Sequence, residues 1–122
     1  MAVSAGGRRC NTRMILIVVK FPVRPDRAEE WPRLRDDYTR AVRSEEGNLF
    51  FEWSESLEEP GTFVLVEGFR DAEAGAAHTG TQAFRDFVEH APDVVARQPE
   101  IIYVDSPDLT GWGPMGEIAP RG

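Results

Sequence analysis

The sequence predicts an α+β domain of the ferredoxin-like kind, with the element order β-α-β-β-α-β and an antiparallel sheet. Three patterns lead to this prediction. Residues 14–19 form a continuous apolar run, residues 26–44 carry apolar side chains at helical spacing, and residues 48–57 alternate between apolar and polar side chains. Because each amphipathic helix must bury its apolar stripe, we expect the helices to pack on one face of the sheet.

The first strand and the first helix have well-marked ends. The β-branched residues of MILIVV suit a strand buried on both faces, and Pro22 and Pro25 end it. Pro32 is tolerated only in the first turn of a helix, so we expect the regular helix to begin near residues 28–31. Gly47 supplies a stop. The apolar stripe of this helix consists of Trp31, Leu34, Tyr38, Ala41 and Val42.

A β-hairpin is predicted after this helix. In NLFFEWSESL, residues 48–57, Leu49, Phe51 and Trp53 point to one face of a strand. The EEPG segment makes the turn, and residues 62–69 form the return strand.

The second half of the chain predicts two helical pieces and a fourth strand. Asp71 is an N-cap for a helix through His78, Gly80 interrupts it, and Thr81 caps the next piece. Between Pro92 and Pro99 we expect a further short helix around residues 94–97. The EIIYVD segment, residues 100–105, is the fourth strand, and the Gly- and Pro-rich remainder reads as an extended tail.

The length of 122 residues suits one domain. We expect a disordered N-terminal extension over residues 1–13, the domain over residues 14–106 and the extended tail over residues 107–122. The N-terminal segment has positive charge but no apolar region of the length that a signal peptide needs. Met14 is an alternative start of the natural chain.

Charge and cysteine content exclude several classes of protein. The net charge of −7 argues against binding to nucleic acid or to an anionic membrane surface. No apolar run approaches the ~20 residues that cross a bilayer. The single cysteine, Cys10, cannot form an internal disulfide, and a reducing cytoplasm is the simplest compartment.

Four strands with helices on one side leave the other sheet face uncovered. Phe50 and the alternate residues of MILIVV would then meet water, which is costly for a small domain. A second copy packed sheet to sheet would cover this face, so we infer a homodimer. The apolar tail residues could reach across it: Leu109, Trp112, Met115 and Ile118.

Glu67 and His78 are the candidate catalytic residues. Glu67 shares its strand face with the apolar residues Leu65 and Phe69, so the carboxylate is partly buried there and needs a partner. His78, at the end of the following helix, could be that partner and could take a proton from a phenol. The alternative is a structural hydrogen bond that anchors the helix to the sheet.

Candidate substrate-binding residues flank this pair. Phe51 and Trp53 could form an aromatic wall for a planar substrate, although core packing is the simpler interpretation. Leu65 and Phe69 belong to the same candidate pocket, and Tyr38 would suit its rim, where the hydroxyl finds a partner. Asn48 could bind a substrate carbonyl or only shape the turn after Gly47. His90, by contrast, is interpreted as a solvated helix end.

Four segments together resemble the antibiotic biosynthesis monooxygenase family, including its quinol monooxygenases. They are MILIVVKFPVRPDRAEEW, EEGNLFFEW, FVLVEGFRDAEAGAAH and QAF, within residues 14–105. The resemblance implies a dimeric α+β barrel with a pocket between sheet and helices in each subunit. It also implies oxidation of phenolic or quinol substrates by molecular oxygen without metal, haem or flavin. His78 matches the family's recurrent histidine.

The chain departs from the family at other positions. Members of the actinorhodin type carry an asparagine and a tryptophan on the third strand, where this chain has Leu65 and Phe69. The proximal histidine of the haem-degrading branch falls near Val88, so haem is not expected. The two histidines are twelve residues apart without cysteine or acid at ligand spacing, so no metal site is predicted. The sequence also lacks a glycine-rich phosphate loop and a nucleophile elbow.

Three functions fit these observations. The first is a cofactor-independent monooxygenase acting on a quinol or polycyclic phenol, in which His78, oriented by Glu67, deprotonates the substrate. The second is a dimeric barrel that binds a small apolar ligand, or a stress-response protein, without turnover. The third is a polyketide cyclase or isomerase that uses the same base without oxygen. The missing asparagine and tryptophan favour the second, and the Glu67–His78 pair favours the first.

Overall fold

The computed structural model describes residues 14–122 and contains one four-stranded antiparallel sheet. The predicted disordered extension, residues 1–13, lies outside the described residues. The elements are β1 Met14–Pro22, α1 Trp31–Arg43, β2 Asn48–Glu55, β3 Thr62–Phe69, α2 Ala72–Thr79, α3 Gln82–Val94 and β4 Glu100–Ser106. This confirms the predicted ferredoxin-like order, with α2 and α3 in place of a single second helix.

The sheet has the strand order β2-β3-β1-β4. Strands β1 and β3 are central, which explains the apolar character of both segments. Glu67 of β3 pairs with Ile17 of β1 on one side and Phe51 of β2 on the other, and Ile17 pairs in turn with Tyr103 of β4. Side chains of one such row point to the same face of the sheet, which here is the face that the helices cover.

The predicted helix ends agree closely with the structure. A 3-10 turn over Pro25–Arg27 precedes α1, and Pro32 lies in the first turn of that helix. The Asp71 side chain accepts a hydrogen bond from the Ala74 amide at 2.8 Å, and Thr81 Oγ1 accepts one from the Phe84 amide at 3.1 Å. Both are N-caps of the expected kind.

The prediction of a separate short helix around residues 94–97 is wrong. Pro92 lies inside α3, where it removes one backbone hydrogen bond without ending the helix. After Val94 the chain turns to pair with the segment that follows β1: Val95 forms a bridge with Val23, and the Ala96 amide donates to the Pro22 carbonyl at 2.7 Å. These long-range hydrogen bonds replace the helical ones.

The core lies between the sheet and the helices. Its fully buried large side chains are Trp31, Phe51, Phe69, Ile15, Leu65 and Val42. The opposite sheet face carries Leu16, Val18 and Val66, which are half-buried, and Ile102, which is 63% exposed. The tail reaches this face, because the ring of Trp112 lies 5.7 Å from the ring of Phe50.

Candidate functional site

A cavity of about 700 Å³ lies between the sheet and α3. Its volume falls within the range of small-molecule sites. Most of its wall is apolar, and the polar groups on its inner side are Tyr38, Glu67 and His78. Apolar residues of the wall include Ile17, Val19, Leu65, Phe84, Phe87 and Ala91.

Three elements bring the polar groups together. Tyr38 lies on the buried stripe of α1, Glu67 on the covered face of β3, and His78 in the last turn of α2. The Asp71 cap fixes the start of α2 and Gly80 follows its end, so the position of His78 is determined by this short helix. His78 is only 3% exposed and Glu67 only 5%.

Both ring nitrogens of His78 have hydrogen-bond partners. Nδ1 lies 3.1 Å from Glu45 Oε2 and 3.2 Å from Oε1, and Nε2 lies 3.1 Å from the Tyr38 hydroxyl. Because a carboxylate only accepts, the Nδ1 nitrogen carries the hydrogen and donates it to Glu45. In the neutral ring, Nε2 then accepts from the Tyr38 hydroxyl. Glu45 therefore fixes both the tautomer and the orientation of the imidazole.

Tyr38 is a hydrogen-bond donor that stays protonated. Burial raises the pKa of its hydroxyl well above the ordinary value, and the Glu67 and Glu45 carboxylates raise it further. The ring stacks on Phe87 with a centroid distance of 4.1 Å. Tyr38 and Phe87 also line a second cleft of about 740 Å³ between α1 and α3, so these two rings separate the cleft from the cavity.

Glu67 is next to His78 but does not hydrogen-bond to it. Its Oε1 lies 3.9 Å from His78 Nε2, beyond hydrogen-bond distance, and has no partner. Among the buried side-chain nitrogen and oxygen atoms of residues 14–122, Trp31 Nε1 is the other without one. Burial, and then the Glu45 carboxylate, raise the pKa of Glu67 to about 7. A carboxyl of this kind exchanges a proton near neutral pH.

The other predicted substrate-binding residues divide into two groups. Leu65 lines the cavity. Phe51 is buried in the core, edge-on to the Tyr38 ring, and the centroid of the Phe69 ring lies 4.7 Å from that of His78. Both rings therefore pack against polar residues of the site and hold them in place. Trp53 Nε1 donates to Thr39 Oγ1 at 2.8 Å.

Asn48 is occupied by the backbone of the sheet. Its Nδ2 donates to the carbonyl oxygens of Phe50 and Gly68 at 3.0 and 3.2 Å. These bonds lie at the irregularity in the β2–β3 register, between residues 48 and 50. Asn48, Phe51, Trp53 and Phe69 are not among the residues that face the cavity.

Sequence reasoning missed Glu45, which lies in the turn between α1 and β2. The reason for its position is a close contact: a Cβ on Gly47 would lie 2.3 Å from the Cβ of Ala74. The turn therefore packs directly on α2 and brings Glu45 to His78. The two acids before Gly47, Glu45 and Glu46, are a signal in the sequence, but nothing local indicates which of them turns inward or which helix it meets.

Metal-ligand clusters and membrane-spanning helices are absent from the described part of the chain. In residues 14–122, no group of three or more histidine, cysteine or acidic side chains could hold a metal ion. Over the same residues, none of the helices has the length and apolar character needed to span a membrane.

The chain thus forms a small ferredoxin-like domain. Its candidate ligand site is the apolar cavity between sheet and helices, with the buried polar cluster at its inner side. The chain belongs to the antibiotic biosynthesis monooxygenase family, whose model matches residues 14–90. This confirms the resemblance read from the four sequence segments.

Two relatives resemble the chain at the level of sequence. It is 32% identical over 87 residues to an uncharacterized protein of Synechocystis sp.. This match covers 71% of this chain and 59% of the relative's length. It is 27% identical over 89 residues to a Bacillus subtilis protein named "Putative monooxygenase YcnE", covering 73% of this chain and 94% of that protein.

Solved structures show the same fold. A Caulobacter crescentus protein described as a "putative antibiotic biosynthesis monooxygenase" superposes with a TM-score of 0.73 at 27% identity, covering 79% of this chain and 92% of that one. The Mycobacterium tuberculosis protein Rv0793 superposes with a TM-score of 0.70 at 22% identity, covering 75% and 92% of the two chains.

Proposed function

We propose that this protein is a cofactor-independent monooxygenase that oxidises a quinol or polycyclic phenol with molecular oxygen. The observation that carries the proposal is the apolar cavity of about 700 Å³ with His78, Tyr38 and Glu67 buried at its inner side. The name of the Bacillus subtilis relative supports the general activity. The substrate class is the part that we add.

The cavity suits a planar aromatic ligand. Flat rings can pack against Ile17, Leu65 and Phe84, and the apolar wall removes water from their surface. A hydroxyl on the ring edge then meets the polar cluster, where a proton acceptor in an apolar site can convert a phenol to its phenolate. The protein thereby binds, orients and desolvates the substrate.

The substrate supplies all the electrons in the proposed reaction. Deprotonation leaves the electron pair of the broken O–H bond on the phenolate, which is more easily oxidised than the neutral phenol. When a ring methylene of a polycyclic phenol becomes a carbonyl, one oxygen atom enters the product and the other leaves as water with the two methylene hydrogens. Four electrons pass from the substrate to dioxygen, so the balance needs no further reductant.

We also propose that two copies pack through their open sheet faces. Leu16, Val18 and Val66 lie half-buried on that face and Ile102 is largely exposed, as expected for an apolar surface that a second copy covers.

Oxygen uptake with reduced quinols and anthrone-type phenols tests the oxygenase. We compare wild type with His78→Ala, and with His90→Ala as the matched control, because His90 is exposed and does not face the cavity. We expect protein-dependent uptake that falls at least about tenfold in His78→Ala and is unchanged in His90→Ala.

The same panel separates the alternatives. No uptake above the buffer rate with any substrate would contradict the oxygenase. Product formed without oxygen would then indicate the cyclase or isomerase, and saturable binding without product would indicate a ligand-binding protein.

A further inference from the structure

We propose that Glu67, rather than His78, takes the proton from the hydroxyl of the bound ligand. The proposal rests on the proposed function and assigns the roles within its site: Glu67 is the group that meets the ligand, and His78 is a fixed member of the wall.

The hydrogen bonds of His78 leave it no free position. Glu45 holds the Nδ1 hydrogen and the Tyr38 hydroxyl occupies Nε2. A ligand could reach Nε2 only after Tyr38 had moved, and the Tyr38 ring is stacked on Phe87 within the core. The Nε2 position is therefore blocked by a packed side chain.

Glu67 has the opposite properties. It lines the cavity, and its buried Oε1 has no hydrogen-bond partner. Because a buried oxygen without a partner is unfavourable, a ligand hydroxyl that donates to this carboxylate from the cavity side stabilises the complex. The site is thus incomplete without a hydrogen-bond donor at this point.

The groups around Glu67 leave its proton free to exchange near neutral pH. Glu45 and Tyr38 face Glu67 from the α1 side, and His78 faces it from α2. Of these three groups, the Glu45 carboxylate raises the pKa of Glu67. Its cross-strand neighbours are apolar, Phe51 on β2 and Ile17 on β1, and Tyr103 of β4 lies beyond Ile17. Burial and Glu45 accordingly raise the pKa of Glu67 to about 7, which suits a general base.

The proton step is balanced. The ligand O–H bond breaks, its electron pair stays on the phenolate oxygen, and a new O–H bond forms on Glu67. After the oxidation, in which the released water takes its two hydrogens from the methylene, Glu67 returns its proton to the phenolate oxygen of the product and is again a carboxylate. The inferred ligand is a fused-ring phenol whose hydroxyl lies at the edge that enters the cavity first.

Binding under anaerobic conditions tests the proposal without turnover. The probes are 2-naphthol and naphthalene, which differ by the hydroxyl alone, titrated from about pH 5.5 to about pH 8.5, where the naphthol stays neutral. A charged acceptor makes the stronger hydrogen bond, so we expect the Kd of 2-naphthol for wild type to fall about tenfold as pH rises through 7. The Kd of naphthalene should show no such fall.

Three variants assign the effect to its residue. Glu67→Gln should bind 2-naphthol with a pH-independent Kd, whereas His78→Gln should keep the dependence. Glu89→Gln is the matched control, an exposed acid of α3 that is not part of the cavity wall, and it should behave as wild type. A dependence that survives in Glu67→Gln, or is absent from wild type, would overturn the proposal.

Oxygen uptake over the same pH range separates this proposal from the oxygenase itself. If the ascending limb of kcat/KM near pH 7 is lost in Glu67→Gln, both stand. If Glu67→Gln still takes up oxygen and keeps the ascending limb of kcat/KM, the oxygenase proposal stands but Glu67 is not its base. If the pH dependence of the 2-naphthol Kd requires Glu67 but no oxygen is taken up, Glu67 is a ligand-binding group and the oxygenase proposal is wrong.

Discussion

His78 is held in one orientation by side chains from two other parts of the chain. Glu45 comes from the turn after α1 and Tyr38 from α1 itself, and neither is near His78 in sequence. The imidazole therefore ties α2 to α1 and to the following turn, through a buried bond to Tyr38 and a part-buried bond to Glu45. Such bonds are worth more to stability than exposed ones, because losing a partner leaves a buried group unsatisfied.

Glu45→Ala should destabilise the protein through this tie. The substitution leaves the buried Nδ1 hydrogen of His78 without an acceptor, and we expect the free energy of unfolding to fall by about 1–3 kcal/mol. Urea denaturation measures the change. Glu46→Ala is the matched control, since Glu46 is the exposed neighbour, and its effect should stay within about 0.5 kcal/mol. Equal effects of the two substitutions would contradict the assignment.

Glu67 should make stability depend on pH. Its pKa in the folded protein is about 7, above the ordinary value of 4.5. The folded state therefore holds this proton more tightly than the unfolded chain. The resulting stabilisation is fully present below about pH 4.5 and is lost as pH rises through about 7.

Glu67→Gln removes this dependence. Relative to the variant, wild type should lose on the order of 3 kcal/mol of unfolding free energy between about pH 4 and about pH 8. Urea denaturation of both proteins across that range gives the difference. If the two stabilities stay parallel at every pH, Glu67 ionises in the folded protein as it does in the unfolded chain.

At the scale of elements, local signals specified most of the fold. The apolar run of β1, the stripe of α1 and the caps Asp71 and Thr81 act within a few residues, and each is where the sequence predicts it. The helix predicted around residues 94–97 does not form, because the backbone there pairs with the end of β1, far away in sequence.

The candidate site shows the same limit. His78 and Glu67 could be selected because they are a rare histidine and an acid on an apolar strand face. Their relation to each other could not be deduced, because it depends on where Glu45 and Tyr38 lie. The contact between Gly47 and Ala74 sets that position, and a glycine before a strand reads first as an ordinary helix stop.

Gly47→Ala should separate the α1–β2 turn from α2. The new Cβ would lie 2.3 Å from the Ala74 Cβ, so the turn or the helix must shift, at a cost of about 1–3 kcal/mol. Adding Ala74→Gly removes the opposing methyl group. In a double-mutant cycle by urea denaturation, the pair should therefore lose less than the two single substitutions together. Simple additivity would contradict the contact.

At the scale of the whole molecule, the proposed dimer places the open sheet face in the contact between the two copies. Ile102 is 63% exposed on this face, so Ile102→Glu should leave the fold of the single chain intact while placing a charge in the proposed dimer contact. Analytical ultracentrifugation should find a dimer for wild type and a one-chain species for the variant. Leu57→Glu, at a turn residue that is 96% exposed, is the control and should remain dimeric.

The tail belongs to the same face. Because the ring of Trp112 packs against Phe50, deleting residues 107–122 should weaken the dimer and leave the Kd of 2-naphthol unchanged. Ultracentrifugation and the binding titration report the two effects separately. A deletion that keeps the dimer but weakens naphthol binding would instead make the tail a lid over the cavity.

The stacked rings of Tyr38 and Phe87 have a consequence for access to the cavity. Both rings line the cavity on one side and the cleft between α1 and α3 on the other. Phe87→Ala would remove one of the two rings and connect the cleft to the cavity, so that dioxygen could enter from the cleft while an aromatic ligand fills the cavity.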